Sequence, residues 1–432
     1  MQNKKLSVVL TALLTIFTAT LFLISTRAAA QTETVLHNFV NNATDGYQTF
    51  SGLIFDASGN LYGTTLDGGT HTNCFGENIG CGTVFELSPA AGGGWTETIL
   101  YDFNFNGTDG VNPSGTLIFA AGNLYGTTEH GGTGACDSGE NSCGTVFELS
   151  PAAGGWTETI LHSFGNNSTD GYYPSAGLVS DAQGNLYGTT TDGGAYNFGT
   201  VFELSPKSGG WAEKVLHSFD GNDGSSPLAS LIFDTAGNLY GTTWVGGVRQ
   251  AGTVFELMPE AGGRWTAKVL HHFNAADGNG PRASLIFDTA GNLYGTTQVG
   301  GAGHHGTVFQ LTPAAGGTWT HNILHSFENN GTDGWFPLGN LIFDAKGNLY
   351  GTTTDGGTGA CARNGCGTVF ELTPAAGGGW TETVLYSFPG YTAGYDPASG
   401  LIFDAAGNIY GTTVNGGTDG GCVCGTVFEL TP

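Results

Sequence analysis

The hydrophobic pattern of this chain is a short, period-two alternation that returns again and again. In one copy, residues 285–288 and 293–297 form two apolar runs joined by Thr-Ala-Gly-Asn, which has the chemistry of a hairpin turn. Two further alternating runs follow at residues 306–311 and 319–327. No segment carries a 3.6-residue period long enough for a helix. The pattern therefore predicts four short antiparallel strands per unit.

A single phrase, Gly-Asn-[Leu/Ile]-Tyr-Gly-Thr-Thr, marks the second strand of each unit and recurs at intervals of 53 to 63 residues. Its tyrosines are Tyr62, Tyr125, Tyr187, Tyr240, Tyr294, Tyr350 and Tyr410. Seven four-stranded units predict an all-β fold, a seven-bladed β-propeller. Residues shared by all copies build this scaffold, so function is sought where the copies differ.

The two ends of the repeat region complement each other. Residues 32–39 read as a fourth strand without a first three, and residues 425–430 as a third strand without a fourth. We expect the N-terminal strand to pair in the last blade and close the ring, which would remove free sheet edges.

The blade phrase at residues 397–413, Pro-x-x-Gly-Leu-Ile-Phe-Asp-x-x-Gly-Asn-Ile-Tyr-Gly-Thr-Thr, resembles NHL-type propeller repeats in strand order and turn position. With the following Gly-Thr-Val-Phe-Glu-Leu it is similar to the Gloeo/Verruco (GloVer) tandem repeat of exported bacterial proteins. The resemblance covers residues 33–432. It implies a secreted or surface repeat protein and assigns no activity.

The N-terminus has the features of an export signal. Lys4 and Lys5 precede an apolar run, and Ala28-Ala29-Ala30 offers a cleavage site. We predict a signal peptide at residues 1–30 and one propeller domain at 31–432. The protein would then be secreted, periplasmic or held at the cell surface. The alternative is an uncleaved membrane anchor, because the apolar run is long for a signal peptide.

Charge narrows the range of partners. The chain has 36 acidic residues against 11 Lys and Arg, a formal net charge of −25. Such a surface repels nucleic acid and anionic lipid, and no membrane contact is expected unless the N-terminal segment is retained. A glycan or an extracellular protein remains a suitable partner, and we expect a monomeric propeller.

The eight cysteines fall as four pairs, each within one loop between a second and a third strand: Cys74/Cys81, Cys136/Cys143, Cys361/Cys366 and Cys422/Cys424. Paired cysteines in an exported chain predict local disulfides. Whether Cys422 and Cys424 pair with each other is left open, because residues two apart require a sharp bend. Zinc is the alternative, but these loops do not supply four converging ligands.

Variation between copies gathers on one face, formed by the loops between blades and the loops between second and third strands. Scattered aromatic and polar side chains there suit a sugar, which stacks on rings and accepts hydrogen bonds. The candidate ligand-binding residues are Trp335, Phe336, Tyr172, Tyr173, Trp244, Tyr391, Tyr395, Arg282, Arg249, His304 and His305. The alternative is that the aromatics only pack down their own loops.

The sequence gives weaker evidence for a catalytic or metal site than for a sugar-binding face. His37, His162, His217, His271 and His325 share one repeat position, which indicates a structural role. Asp-Gly recurs in the inter-blade loops, where turn formation explains it; we predict no cofactor, with calcium as the alternative.

Positions preceding each first strand are small and neutral, although the acids Glu129, Glu140 and Asp396 lie in loops that could reach inward. We therefore assign no catalytic residue and favour a binding module. A glycan-active hydrolase or lyase and a structural cell-envelope protein are the alternatives.

Overall fold

The predicted propeller is confirmed in a computed structural model, which describes residues 31–71, 74, 79–136, 142–328, 330–361, 365–418 and 424–431. Seven four-stranded antiparallel sheets follow one another around the ring. The helical structure of the described residues is all of the 3₁₀ type, at Cys74, Ala315–Gly317 and Tyr391–Ala393. None of the described residues forms a helix of the length and apolarity needed to cross a membrane.

In every blade the strands run in order from the centre of the ring outwards, and the blades are numbered here along the chain. Blade 1 contains Ile54–Phe55, Leu61–Thr65, Thr83–Pro89 and Trp95–Asp102; blade 2 contains Ile118–Ala120, Asn123–Thr128, Thr145–Ala152 and Gly155–Ser163. Blade 3 contains Val179–Ser180, Leu186–Thr190, Thr200–Lys207 and Gly210–Ser218; blade 4 contains Ile232–Phe233, Leu239–Thr243, Thr253–Pro259 and Trp265–His272.

The remaining blades follow the same plan. Blade 5 contains Ile286–Phe287, Leu293–Thr297, Thr307–Ala314 and Thr318–Ser326; blade 6 contains Ile342–Phe343, Leu349–Thr353, Thr368–Pro374 and Trp380–Ser387. Blade 7 contains Ile402–Phe403, Ile409–Thr413, Thr426–Thr431 and, as its outer strand, Thr32–Asn38. Four small two-stranded sheets join inter-blade loops to the ends of second strands: Gly46–Tyr47 with Asp67–Gly68, Gly110–Val111 with His130–Gly131, Gly171–Tyr172 with Asp192–Gly193, and Gly334–Trp335 with Asp355–Gly356.

The N-terminal strand closes the ring, as its sequence predicted. Thr32–Asn38 pairs antiparallel with Thr426–Thr431, in a register that runs from Thr32 opposite Thr431 to Asn38 opposite Thr426. The pairing is interrupted by a bulge between Val35 and His37, and the other outer strands carry a register shift at the corresponding place. The first strand of the described chain is thus a regular blade component.

The Gly-Thr-Thr of each second strand has a packing reason. A Cβ atom on Gly295 would lie 2.7 Å from Cζ of Phe309, so only glycine leaves room for the phenylalanine of the third strand. Thr297, which is fully buried, shares a hydrogen bond of 2.8 Å with the Thr307 hydroxyl and donates to the Val299 carbonyl at 3.0 Å. The same threonine pair occurs in all seven blades.

The repeated tyrosine fastens each blade to the next. The Tyr294 hydroxyl donates to Asp288 in the hairpin turn at 3.0 Å, while the ring lies edge-on to Phe343 of blade 6 at 5.1 Å between centroids. Trp380 of the same neighbour contacts the ring from 6.2 Å. Burying an aromatic body while satisfying its hydroxyl is what such a position requires.

Three of the predicted disulfides are present. Cys74–Cys81, Cys136–Cys143 and Cys361–Cys366 have Cα atoms 5.4, 5.6 and 5.2 Å apart. Cys424 is also disulfide-bonded, and its predicted partner Cys422 lies outside the described residues. Disulfides form and persist in oxidising compartments, which indicates an extracellular or periplasmic setting.

Ring closure can be tested at Phe39, which follows the N-terminal strand and is 0% exposed. Phe39→Ala is expected to lower the free energy of unfolding by about 3–5 kcal/mol, as for a phenylalanine in any core. The measurement is urea unfolding followed by tryptophan fluorescence. Phe273→Ala, at the equivalent position of blade 4, is the matched control and should cost a similar amount. A cost below about 1 kcal/mol for Phe39→Ala alone would contradict the closure described here.

Candidate functional site

The centre of the ring opens into a cavity of about 370 Å³ at the face where the inter-blade loops reach their first strands. One residue from each blade lines this mouth at the position that follows the loop proline, or Thr49 in blade 1: Phe50, Ser114, Ser175, Leu228, Arg282, Leu338 and Ala398. Two positions further on, each blade adds a second lining residue: Gly52, Thr116, Gly177, Ser230, Ser284, Asn340 and Gly400. We call these the outer and inner mouth rings.

The loop backbone sets the direction of the outer mouth ring. The residue before each proline has a left-handed φ, as in Phe336 at 58°. The Phe336 amide donates a hydrogen bond to the backbone carbonyl of His305, in the preceding blade, at 3.0 Å. The Phe336 carbonyl accepts a hydrogen bond from the amide of Thr354, in its own blade, at 3.2 Å. The loop is therefore clamped between two blades, and the residue after the proline is held toward the channel.

The inner mouth ring is small because neighbouring blades approach closely here. The Thr116 hydroxyl accepts the Gly52 amide at 3.0 Å, and the Asn340 side chain accepts the Ser284 amide at 2.7 Å. A Cβ atom on Gly115, between the two rings, would lie 2.7 Å from the Ala176 carbonyl group. The predicted run of small neutral residues is thus a packing requirement of the ring.

Two ionisable side chains, Glu129 and Arg282, are present among the described residues that line the cavity. Burial lowers the pKa of Arg282 from its ordinary value, and the negative charge of Glu129 acts in the opposite direction. Glu129 directly follows the second strand of blade 2, whereas Arg282 belongs to blade 5. A hydrogen-bond acceptor and a five-donor guanidinium therefore face the same cavity from different blades.

Trp244 stands beside this mouth and extends it toward the outer loops. The Arg282 guanidinium carbon lies 5.5 Å from the centroid of the Trp244 ring, a cation–π contact. Trp244 is 38% exposed, although its backbone is fixed through the Ser226 carbonyl at 3.0 Å. The Ser226 amide in turn donates to Phe198, another exposed aromatic residue. The loops that carry Phe198 and Trp244 are therefore linked through the backbone of Ser226.

The other candidate aromatics predicted from the sequence pack within the loops. Trp335 lies 4.8 Å from the His305 ring and 4.6 Å from Phe336, and Tyr172 lies 5.1 Å from Tyr173. The ring centroids of Tyr391 and Tyr395 are 6.3 Å apart. Arg249 and His304 are exposed on their loops. Of the eleven candidates, the structure brings Trp244 and Arg282 together at the mouth.

Several mouth residues, among them Phe50, Leu228 and Leu338, were absent from the predicted site. Aligning the six loops that carry the proline would have found Leu228 and Leu338, since the following residue is the one that varies in size and polarity. Phe50 follows Thr49 in the one loop without that proline. Asp396 accepts a hydrogen bond from Asn415 at 2.6 Å and does not line the cavity. Glu140 lies outside the described residues.

A second set of polar side chains lies at the junctions between blades, where the repeat histidines meet the loop Asp-Gly. At the closing junction His37 lies 3.6 Å from Asp45 and 3.5 Å from Glu97 of blade 1. The Asp45 carboxylate also accepts the Val40 amide at 2.9 Å, which is the turn role predicted for it. Comparable triads are His162/Asp170/Glu213, His271/Asp277/His321 and His325/Asp333/Glu382.

Burial shifts the pKa of several junction groups. It raises the pKa of Glu97 to about 7, opposed by His37 and assisted by Asp45. Burial, together with the neighbouring His271, lowers the pKa of His321 to about 4. Where tyrosine replaces histidine, the Tyr101 hydroxyl lies within hydrogen-bond distance of Glu158 at 3.0 Å and of Asp109 at 3.1 Å. Burial together with Asp109 raises the pKa of Glu158 to about 8.

Fold and site together define a tandem-repeat, seven-bladed β-propeller with one lined channel mouth. The model of the Gloeobacter/Verrucomicrobia repeat matches residues 15–232 and 212–428, and the chain belongs to this family. No curated protein matches the sequence.

Among solved structures, the chain is similar to a luciferin-regenerating enzyme, at 13% identity and a TM-score of 0.42 over 74% of this chain and 91% of that one. It is also similar to a protein described as a putative oxidoreductase (glucose dehydrogenase) from Thermus thermophilus, at 14% identity and a TM-score of 0.42 over 93% and 100% of the two chains. Likeness at this level carries no functional conclusion.

The Tyr101 junction makes a prediction about pH. Because the folded pKa of Glu158 is raised above the ordinary value of 4.5 to about 8, folding binds a proton there between those values. This contribution to stability is fully present below pH 4.5 and is lost as the pH rises toward 8. Relative to Glu158→Gln, the wild type should lose stability over that interval, with a slope of at most about 1.4 kcal/mol per pH unit.

The measurement is urea unfolding of both proteins at several pH values from about 4 to about 9, which brackets the interval over which the Glu158 proton is released. Comparing the two proteins at each pH removes the contribution of titrating groups distant from Glu158, so the difference reports Glu158 together with its coupled neighbour Asp109. Parallel stability profiles across this range would contradict a raised Glu158 pKa.

Proposed function

We propose that this propeller is a glycan-binding module that holds a neutral oligosaccharide at its channel mouth. One observation carries the proposal: the mouth is the place where unlike, unrepeated side chains converge on a lined cavity. Arg282, Glu129 and Phe50 face that cavity, and Trp244 adjoins it.

The chemistry of the mouth matches the two surfaces of a sugar. Hydroxyl groups need both donors and acceptors, which Arg282 and Glu129 offer from different blades, together with Ser230 and Asn340 of the inner mouth ring. The C–H face of a sugar ring packs on aromatic surface, which Trp244 and Phe50 expose. The cavity volume lies near the lower end of the roughly 300–1,000 Å³ range of small-ligand pockets.

Binding is favoured over glycan hydrolysis by the number of carboxylates. Glycosidases generally use a pair of carboxyl groups on either side of the scissile bond. Among the described residues lining the cavity, Glu129 is the one carboxylate. A neutral ligand is favoured over an acidic one because the net charge of −25 repels anions.

Export is part of the proposal. It is supported by the basic and apolar pattern of residues 1–30 and by the three disulfides. A protein with these features would meet its oligosaccharide outside the cytoplasm.

The test begins with residues 31–432 produced under oxidising conditions and screened against an array of neutral oligosaccharides. Affinity for the strongest binder is then measured by calorimetry. Arg282→Gln removes charged hydrogen bonds worth about 1.5–3 kcal/mol, so we expect binding to weaken at least about ten-fold. Trp244→Ala should weaken it to a similar extent.

Tyr391→Ala is the matched control, since Tyr391 is a 65% exposed aromatic residue outside the lining of the mouth. It should bind like the wild type. Near-ultraviolet circular dichroism confirms that each variant is folded. The proposal fails if no array sugar binds, or if Tyr391→Ala loses binding while Arg282→Gln retains it.

A further inference from the structure

Three of the seven blade junctions repeat one set of side chains. A histidine from the outer strand of one blade meets an aspartate from the loop that follows it and a glutamate from the outer strand of the next blade. The three sets are His37/Asp45/Glu97, His162/Asp170/Glu213 and His325/Asp333/Glu382. We call them the junction triads.

The spacing within a junction triad is wider than a good hydrogen bond and close to that of ligands around one metal ion. His Nε2 lies 3.6, 3.3 and 3.3 Å from its aspartate oxygen in the three triads, and each set of ligand atoms falls within 4.8 Å. Two ligands held at about 2.0–2.1 Å from a tetrahedral ion are about 3.3 Å apart.

Polar atoms of the triads lack hydrogen-bond partners although they are buried. Asp170 is 3% exposed and Asp45 7%, yet an oxygen of each carboxylate accepts no hydrogen bond. Six further triad residues each have one buried polar atom without a hydrogen bond: His37, Glu97, His162, Glu213, Asp333 and Glu382. The aspartate oxygen that faces each histidine accepts a backbone amide, and His325 shares a long hydrogen bond of 3.3 Å with Asp333. The unsatisfied atoms are therefore the second aspartate oxygens, one oxygen of each glutamate, and Nε2 of His37 and His162. Buried polar atoms are normally satisfied, so these atoms indicate a missing group.

Junctions that lack one member of the triad behave differently. Ala267 occupies the glutamate position beside His217 and Asp223, and there the histidine and aspartate approach to a direct 2.7 Å contact. Tyr101 replaces the histidine at another junction, and its hydroxyl lies within hydrogen-bond distance of both carboxyl groups. The direct contact thus occurs where no third ligand-type side chain is present, whereas His271 and Asp277, with His321 as the third residue, keep a spacing of 3.3 Å.

We propose that each junction triad binds a divalent transition-metal ion, with zinc as the ion that fits best. One imidazole nitrogen and two carboxylate oxygens are ligands that zinc accepts, whereas calcium takes oxygen ligands alone. The side-chain exposure of His37 and Glu97, 19% and 16%, leaves a path for the ion from solvent. His271 and His321 are not included, because their rings stack in parallel at 4.3 Å.

The experiment counts zinc in untagged residues 31–432. The protein is stripped with chelator, equilibrated with Zn²⁺, dialysed, and analysed by mass spectrometry of the metal. We expect three ions per chain in the wild type, two in Glu213→Gln, and four in Ala267→Glu, which completes a triad with His217 and Asp223. Glu158→Gln, which removes a junction carboxylate outside the triads, should retain three.

Cobalt substitution provides a second measurement. Co²⁺ bound by histidine and carboxylate absorbs visible light, and the intensity of that absorption should change in step with the number of ions bound per chain. The proposal is overturned if the wild type binds no zinc. It is also overturned if Glu213→Gln binds as much zinc as the wild type. Equal losses in Glu213→Gln and Glu158→Gln would contradict it as well. If Ala267→Glu fails to fold, the double variant Glu213→Gln/Glu382→Gln decides, with one ion expected.

Discussion

Contact between two phenylalanines holds each blade of this propeller to the next. The phenylalanine that follows an outer strand packs edge-on against the phenylalanine in the third strand of the neighbouring blade. Ring centroids are 5.0–5.2 Å apart in all seven pairs: Phe39/Phe85, Phe103/Phe147, Phe164/Phe202, Phe219/Phe255, Phe273/Phe309, Phe327/Phe370 and Phe388/Phe428. The glycine of each second strand leaves the space that the third-strand ring occupies. Phe39 makes the same contact across the closure, so the ring has no distinct seam.

This contact fixes where variable residues can act. Because adjacent blades are locked in one relative orientation, the residue after each loop proline always arrives at the channel. The outer strands likewise always bring a histidine or tyrosine toward the neighbouring blade. Seven repeats therefore provide seven equivalent positions at the mouth and seven at the junctions between blades. Substitution at those positions changes the chemistry of the site without disturbing the scaffold. Arg282 and Ala267 are examples, one adding a charge and the other deleting a ligand.

Most of the fold could be predicted from the sequence, since period-two alternation and a repeated phrase report strand order directly. The closure by residues 32–38 followed from the same strand count. The mouth was harder to predict, because Leu228 or Leu338 looks like any apolar loop residue until the loops are aligned on proline. The junction triads were missed for a different reason: Glu97 and His37 are 60 residues apart and belong to different blades, and only ring geometry brings them together. Conversely, Trp335 looked exceptional in sequence but packs against Phe336 and against His305 of the preceding blade.

The central claim is that function resides in the unrepeated side chains at the channel mouth. A crystal structure of the protein with its strongest-binding oligosaccharide tests this most directly. The account predicts a sugar ring within hydrogen-bond distance of both Arg282 and Glu129, with its C–H face toward Trp244 or Phe50. A sugar bound at a junction between outer strands, or on the face of the hairpin turns, would contradict it.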